Sequence, residues 1–226
     1  MEPGQKPWAV VVPVKRLAVA KTRLGLPGVQ RAHIALAMAE DTIRACVGAA
    51  GVRRVVVVTD DPEGAAMAAA AGALVVADEP DAGLNPALRH GARHAAGLDV
   101  GADGGGAAGL GIVTVSSDLP ALTSADLDAV LRAAATHARA VVADAAGTGT
   151  VLLAAATVAE FHPAYGERSR AAHVRDGAVD LTDQANARLR RDVDTTADLD
   201  DAARLGVGPA TRRALATLGP TERALR

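Results

Sequence analysis

The chain has 226 residues, half of them hydrophobic but only 1% aromatic, with 24 basic against 26 acidic residues and a formal net charge of −2. This balance gives no electrostatic case for a nucleic-acid backbone, and three aromatics (Trp8, Phe161, Tyr165) cannot form a base-stacking platform. A single cysteine, Cys46, excludes a disulfide framework and a CxxC metal site, while no apolar run approaches the ~20 residues of a membrane span. The amino terminus lacks the basic flank and apolar stretch of a secretory signal, so a cytoplasmic protein is expected.

In chain order, WAVVVPV (8–14) is a continuous apolar, β-branched run, the pattern of a strand buried on both faces of a parallel sheet. The loop after it, PVKRLAVAKTRLG, holds Lys15 and Lys21, two of only three lysines in the chain; arginine fills nearly every other cationic position. Such a choice suggests a need for a compact ammonium rather than a planar fork. The loop is neither G-x-G-x-x-G nor G-x-x-x-x-G-K-[ST], so ordinary dinucleotide-binding and P-loop readings lose support. Lys15, Lys21 and Arg23, with Arg16 as a fourth, could face a triphosphate; a solvated basic loop is the alternative. Ile34, Met38, Ile43 and Val47 then recur at helical spacing over 29–51, and VRRVVVVTDDP (52–62) reads as a strand ending on two aspartates.

An alanine-rich helix (63–72), a strand (73–78) and a helix over 85–97 with Pro86 near its start come next. GADGGGAAG (101–109) is low in complexity and reads as a surface loop. LGIVTVSS (110–117) is the fourth strand, and Thr123 with Asp126 forms a capping signal for a helix to about Thr136. Two strands, 138–144 and 150–156, flank a Gly-Thr-Gly turn; 157–187 is irregular with a helix near 167–175. RLRRDVDT (188–195) reads as a final strand, followed by a helix capped by Thr195 and Asp198. The alternation predicts one α/β domain with a doubly wound, mostly parallel sheet. Residues 8–135 would be its nucleotide-binding part, 136–206 an acceptor-binding part with the closing strand and helix, and 207–226 a helical tail.

Ligands of such sheets bind beyond the carboxyl ends of the strands, where Lys15, Asp60 and Asp118 all fall. Asp118 is not needed as a helix cap, because Thr123 does that work; a hard carboxylate facing a basic loop suits Mg²⁺ against phosphate oxygens. Asp192 and Asp194, two apart on a strand, would share a face. Asp194 can serve the dipole of the next helix, which leaves Asp192 as the preferred second metal ligand. The amide of Asn85 in GLNPALRHG could read the hydrogen-bonding edge of a base or ribose, or simply begin a helix. Thr148, Thr150, Gly166, Ser169 and Arg170 could hold a small anion through hydroxyls and backbone N–H groups, though turn chemistry explains them equally. His90 and His94 stand at i, i+4, but no third zinc ligand or H-E-x-x-H pattern accompanies them.

Taken together, PVKRLAVAKTRLG, GLNPALRHG, SSDLPAL, the GTGT turn, HPAYGERSRAAH and RRDVDTTADL occur in the order found in the 2-phospho-L-lactate and phosphoenolpyruvate guanylyltransferases of coenzyme F-420 biosynthesis, which the chain resembles from about Trp8 to Gly206. The resemblance implies a glycosyltransferase-A-like nucleotidyltransferase fold and a GTP site along Pro13, Lys15, Lys21, Arg23, Leu84 and Asn85. Lys15, Lys21 and Asp118 would be catalytic, Asp118 and Asp192 would hold Mg²⁺, and Thr150, Gly166 and Ser169 would contact phosphoenolpyruvate or 2-phospho-L-lactate. A downstream transferase of that pathway is an implied partner. Family members often carry Ala, Gly or a second acid just before DLP; here Ser116 and Ser117 leave fewer carboxylates for the metal. The alternatives are a sugar-phosphate or molybdopterin nucleotidyltransferase, against which the absence of a Gly-rich L-x-A-G-G first loop counts, and a GTP-binding protein without catalysis.

Overall fold

Seven strands form one sheet in the order β3-β2-β1-β4-β6-β5-β7, seen in a computed structural model that describes residues 6–16, 21–79, 81–97 and 109–218. The low-complexity stretch as far as residue 108, residues 17–20 of the lysine loop and residues 219–226 lie outside the described residues. The first half alternates as expected: β1 (Trp8–Pro13), α1 (Gly28–Val47), β2 (Val52–Val58), α2 (Pro62–Ala70), β3 (Leu74–Val76), α3 (Leu84–Gly97), β4 (Gly111–Val115) and α4 (Ser124–Ala134). β1 pairs in parallel with both β2 and β4, and β2 with β3. β5 (Arg139–Ala143) and β6 (Thr150–Ala155) form a hairpin that slots β6 antiparallel against β4, so only β6 runs against the rest. A short β7 (Val179–Asp180) extends the β5 edge in parallel.

Alternation along β1 decides which face each residue supplies. Val10 and Val12 enter a core with Ile43, Leu127 and Leu131 from α1 and α4, whereas Ala9 and Val11 enter another with Leu88 and Ala92 from α3. Close approach on the α3 face depends on Gly91, where an added Cβ would lie 2.6 Å from Val58 Cγ2 and 2.7 Å from Val11 Cγ1. A third cluster joins α1 to α7 (Thr196–Leu205) and α8 (Pro209–Ala216) through Ile34, Met38, Leu199 and Ala210. Buried Asp41 on α1 seals it by accepting from the N–H groups of Ala210 and Thr211 at 3.0 and 2.8 Å, the orphan donors of the first turn of α8.

Both Thr-x-x-Asp signals are complete capping boxes, at Thr123/Asp126 and Thr195/Asp198. One expectation fails: residues 188–195 are not a strand. Asn186 caps a single helical turn, α6 (Ala187–Arg190), by accepting from the Leu189 N–H. The second capping box starts α7 at Thr196. Helix caps claim both ends of the segment, and between them the Val193 N–H donates to the Asp118 carbonyl at 3.1 Å in place of a strand neighbour. The expected helix near 167–175 is α5 (Ser169–Arg175).

Candidate active site

Beyond the carboxyl ends of β1 and β4 the chain gathers two cations and several carboxylates. Asp118 follows β4 at a turn held by the Leu119 N–H, which donates to the buried Thr42 hydroxyl at 3.1 Å; that hydroxyl donates in turn to the Met38 carbonyl of α1. Val193 is fully buried between Asp192 and Asp194, both half-buried, and its tether to the Asp118 carbonyl brings them to the same place. Lys21, with left-handed backbone (φ 55°), donates from Nζ to Asp118 and, at 2.8 Å, to Asp194, while Arg23 pairs with the other Asp194 oxygen. Burial opposes the Lys21 charge, but Asp118 and Asp194 outweigh it and hold the ammonium above its ordinary pKa. Asp194 is likewise desolvated, yet Lys21 and Arg23 keep its carboxyl below the usual range.

Asp192 behaves in the opposite way. Burial, reinforced by repulsion from Asp118, Asp144 and Asp194, pushes its carboxyl up to about 7. Its carboxylate makes no ion pair among the described residues. Sequence reasoning named Asp118 and Asp192 but missed Asp144, which follows β5 much as Asp118 follows β4. That parallel was the available signal. Asp144 accepts from the Thr148 and Gly149 N–H groups at 3.0 and 2.9 Å and so also shapes the Gly-Thr-Gly turn.

The other predicted residues are distributed as follows. Lys15 is exposed past the end of β1, with no partner among the described residues, and Pro13 is half-buried at that end. Arg16 faces elsewhere, toward Asp60 (3.6 Å) and Asp81 (3.7 Å). Those two aspartates with Asp78 are the one described group of three whose ligand atoms all lie within 4.8 Å of one another. Leu84 opens α3 and packs on the α3-face core. Asn85 is a strut: its Oδ1 accepts from the Tyr165 N–H at 2.8 Å and its Nδ2 donates to the Tyr165 carbonyl at 2.9 Å. His90 and His94 line an open hollow with Arg93 and Gly97 and gain no third ligand among the described residues.

Thr150 and Ser169 do come together. Thr150 opens β6 opposite Ala143 and beside Asp144; the Ser169 hydroxyl lies 3.1 Å from Thr150 Oγ1 and both residues are buried. Arg170 clamps α5 onto the hairpin, donating to the Gly147 carbonyl at 3.0 Å and gripping Asp180 with Nε and Nη2. Gly166 stands exposed before α5 at φ 149°, a backbone that side-chain-bearing residues rarely adopt. A residue not singled out in the sequence, His173, completes this cluster: its Nδ1 lies 3.0 Å from Thr150 Oγ1.

Such an arrangement could serve a phosphate: carboxylates able to take a hard cation, flanked by ammonium and guanidinium groups, with the buried Thr150–Ser169 hydroxyl pair as a further group. Residues 28–193 match the model of the MobA-like NTP transferase domain. The chain is 48% identical to the phosphoenolpyruvate guanylyltransferase of Thermomonospora curvata over 90% of its own length and 86% of that protein's. It is 49% identical to that of Salinispora arenicola, covering 95% of this chain and 96% of that one. Among solved structures, a nucleotidyl transferase from Methanothermobacter thermautotroptrophicus superposes with a TM-score of 0.59 at 22% identity, covering 89% of this chain and 98% of that one, which speaks to fold. With its mixed, mostly parallel sheet and the match running through the site, the chain belongs to the MobA-like NTP transferase domain family and, within it, to the phosphoenolpyruvate guanylyltransferases.

Proposed function

We propose that the protein transfers GMP from GTP to phosphoenolpyruvate, releasing pyrophosphate and leaving an enolpyruvyl-diphosphoguanosine. The observation that carries this reading is the joining of the Lys21 loop to Asp118 with an uncompensated Asp192 beside them. The named activity of relatives at 48–49% identity supports the same donor and acceptor. Lys15, Lys21 and Arg23 would lie along the triphosphate, with Pro13, Leu84 and Asn85 nearer the nucleoside; Thr150, Ser169 and the Gly166 backbone would hold the acid. A role in coenzyme F-420 biosynthesis, in the cytoplasm and with handover to a downstream transferase, belongs to the same proposal.

The acceptor's own phosphate is the nucleophile. Its second ionisation lies near pH 6, so at pH 7 it is largely dianionic and needs no general base. One of its oxygens forms a bond to the α-phosphorus while the α–β bridging P–O bond breaks, and pyrophosphate departs with that electron pair. The chain's task is positioning for in-line approach and neutralisation of charge by the lysines and Arg23. The donor set fits Mg²⁺: hard carboxylate oxygens from Asp118 and Asp192, the latter facing other carboxylates with no counter-ion among the described residues. When bound, the ion would screen the repulsion between dianion and triphosphate and stabilise the leaving pyrophosphate. Pyrophosphate release tests the proposal with GTP, CTP and UTP as donors and with phosphoenolpyruvate, 2-phospho-L-lactate and a sugar phosphate as acceptors. Release confined to GTP with phosphoenolpyruvate is expected. A preference for sugar phosphate, or GTP binding without turnover, would overturn it.

A further inference from the structure

His173 is fully buried, yet each ring nitrogen has an assigned neighbour. The Ala164 backbone N–H donates to Nε2 at 2.9 Å, and Thr150 Oγ1 lies 3.0 Å from Nδ1. A nitrogen facing an N–H must accept, so the proton of the neutral ring sits on Nδ1 and points at Thr150. The ring has little freedom to turn, because Tyr165 packs edge-on at 5.1 Å and 72°. Burial and the neighbouring Arg139 guanidinium hold the imidazole neutral, lowering its pKa to about 4.

Nδ1, Thr150 Oγ1 and Ser169 Oγ carry three hydrogens and make two bonds among themselves, since the two hydroxyls are 3.1 Å apart. One hydroxyl proton is left over, and no acceptor for it exists among the described residues. With the opposite tautomer the count changes. Thr150 would donate to Nδ1, Ser169 to Thr150, and the pair would offer a ligand lone pairs only.

We propose that His173 is a positioning residue for the acceptor site: by keeping its proton on Nδ1, it obliges the Thr150–Ser169 hydroxyl pair to present a hydrogen-bond donor to an anionic group of the acceptor. This rests on the assignment of Thr150 and Ser169 to the acceptor. It extends that assignment to a residue that touches no substrate.

Two measurements test it. In the two-bond ¹H–¹⁵N spectrum of the wild-type enzyme labelled on histidine, with the His173 signal assigned by its loss in His173→Asn, Nδ1 is expected as the protonated nitrogen and Nε2 as the bare one. A proton on Nε2, or on both, overturns the proposal and leaves the acceptor assignment standing. In kinetics, His173→Leu leaves the two hydroxyls one free proton but no longer fixes which of them carries it or where it points, and is expected to raise the acceptor KM by about two- to tenfold, the scale of a neutral hydrogen bond. The GTP KM should stay within twofold. His173→Asn, whose side-chain N–H can take the place of Nδ1, should recover most of the loss. Equal effects on both substrates, or no rescue by asparagine, would mean a merely structural histidine. Thr150→Val with an unchanged acceptor KM would instead overturn the acceptor assignment, and the proposal with it. If His173→Leu does not fold, the wild-type spectrum and Thr150→Val still decide.

Discussion

Replacing Asp192 by Asn should stabilise the metal-free protein while removing its function. The Asp192 carboxyl is raised from 3.8 to about 7 by burial first and then by Asp118, Asp144 and Asp194. Between those values the native state keeps a proton that the unfolded chain has lost, so stability falls as pH rises from about 4 to 7 and stays low above it. Three pKa units set a ceiling of about 4 kcal/mol. Asp192 is only half-buried, and solvent screening brings the expectation to about 1–2 kcal/mol. For a chain of this size that is roughly 3–6 °C in Tm. Thermal melts in chelator should therefore show Asp192→Asn equal to wild type near pH 4 and more stable at pH 8, with the gap opening between. Added Mg²⁺ should raise the wild-type melt at pH 8 and leave the variant unmoved. A variant no more stable than wild type at pH 8 would refute the reasoning, since it would mean that Asp192 is not strained by its neighbours.

Asp118→Asn should lower pyrophosphate release by at least about 10³-fold, several kcal/mol of transition-state stabilisation, with the melting temperature held within a few degrees; steady-state rates and a melt check this together. Asn85→Ala breaks both bonds to Tyr165 and strands its N–H, so it should cost about 1–3 kcal/mol locally, visible as faster hydrogen exchange at Tyr165 and a raised acceptor KM. Gly91→Ala forces a Cβ to within 2.7 Å of two valines and should destabilise by about 1–3 kcal/mol in denaturant titration, without a change in KM for the surviving enzyme.

The first half of the sheet was legible because β1, β2 and β4 are Val-rich runs and two helix starts, those of α4 and α7, carry Thr-x-x-Asp boxes, both local signals. The reversal of β6 was not, since a Gly-Thr-Gly turn announces a hairpin but not where it inserts; insertion next to β4 is a tertiary choice. RRDVDT misled for a related reason: alternation at Asp192, Val193 and Asp194 is that of a strand, but one backbone bond to Asp118 and two flanking helix caps decide otherwise. In the site, Lys21 and Asp118 stood out as rare or unneeded residues. His173 did not, because its role exists only through partners far away in the chain, such as Thr150; Asp144 carried the same strand-end signal as Asp118 and was passed over. Asn85 looked like a reader of bases; the structure adds that both ends of its amide engage the Tyr165 backbone.

The most direct test is to supply GTP labelled at the α-phosphorus together with phosphoenolpyruvate and to identify the products by mass and ³¹P spectra. Pyrophosphate should appear only when both substrates are present, and the label should lie in a diphosphate bridge joining guanosine to the enolpyruvyl group. Orthophosphate, or a label left in GMP or GDP whether or not the acid is added, would contradict the account.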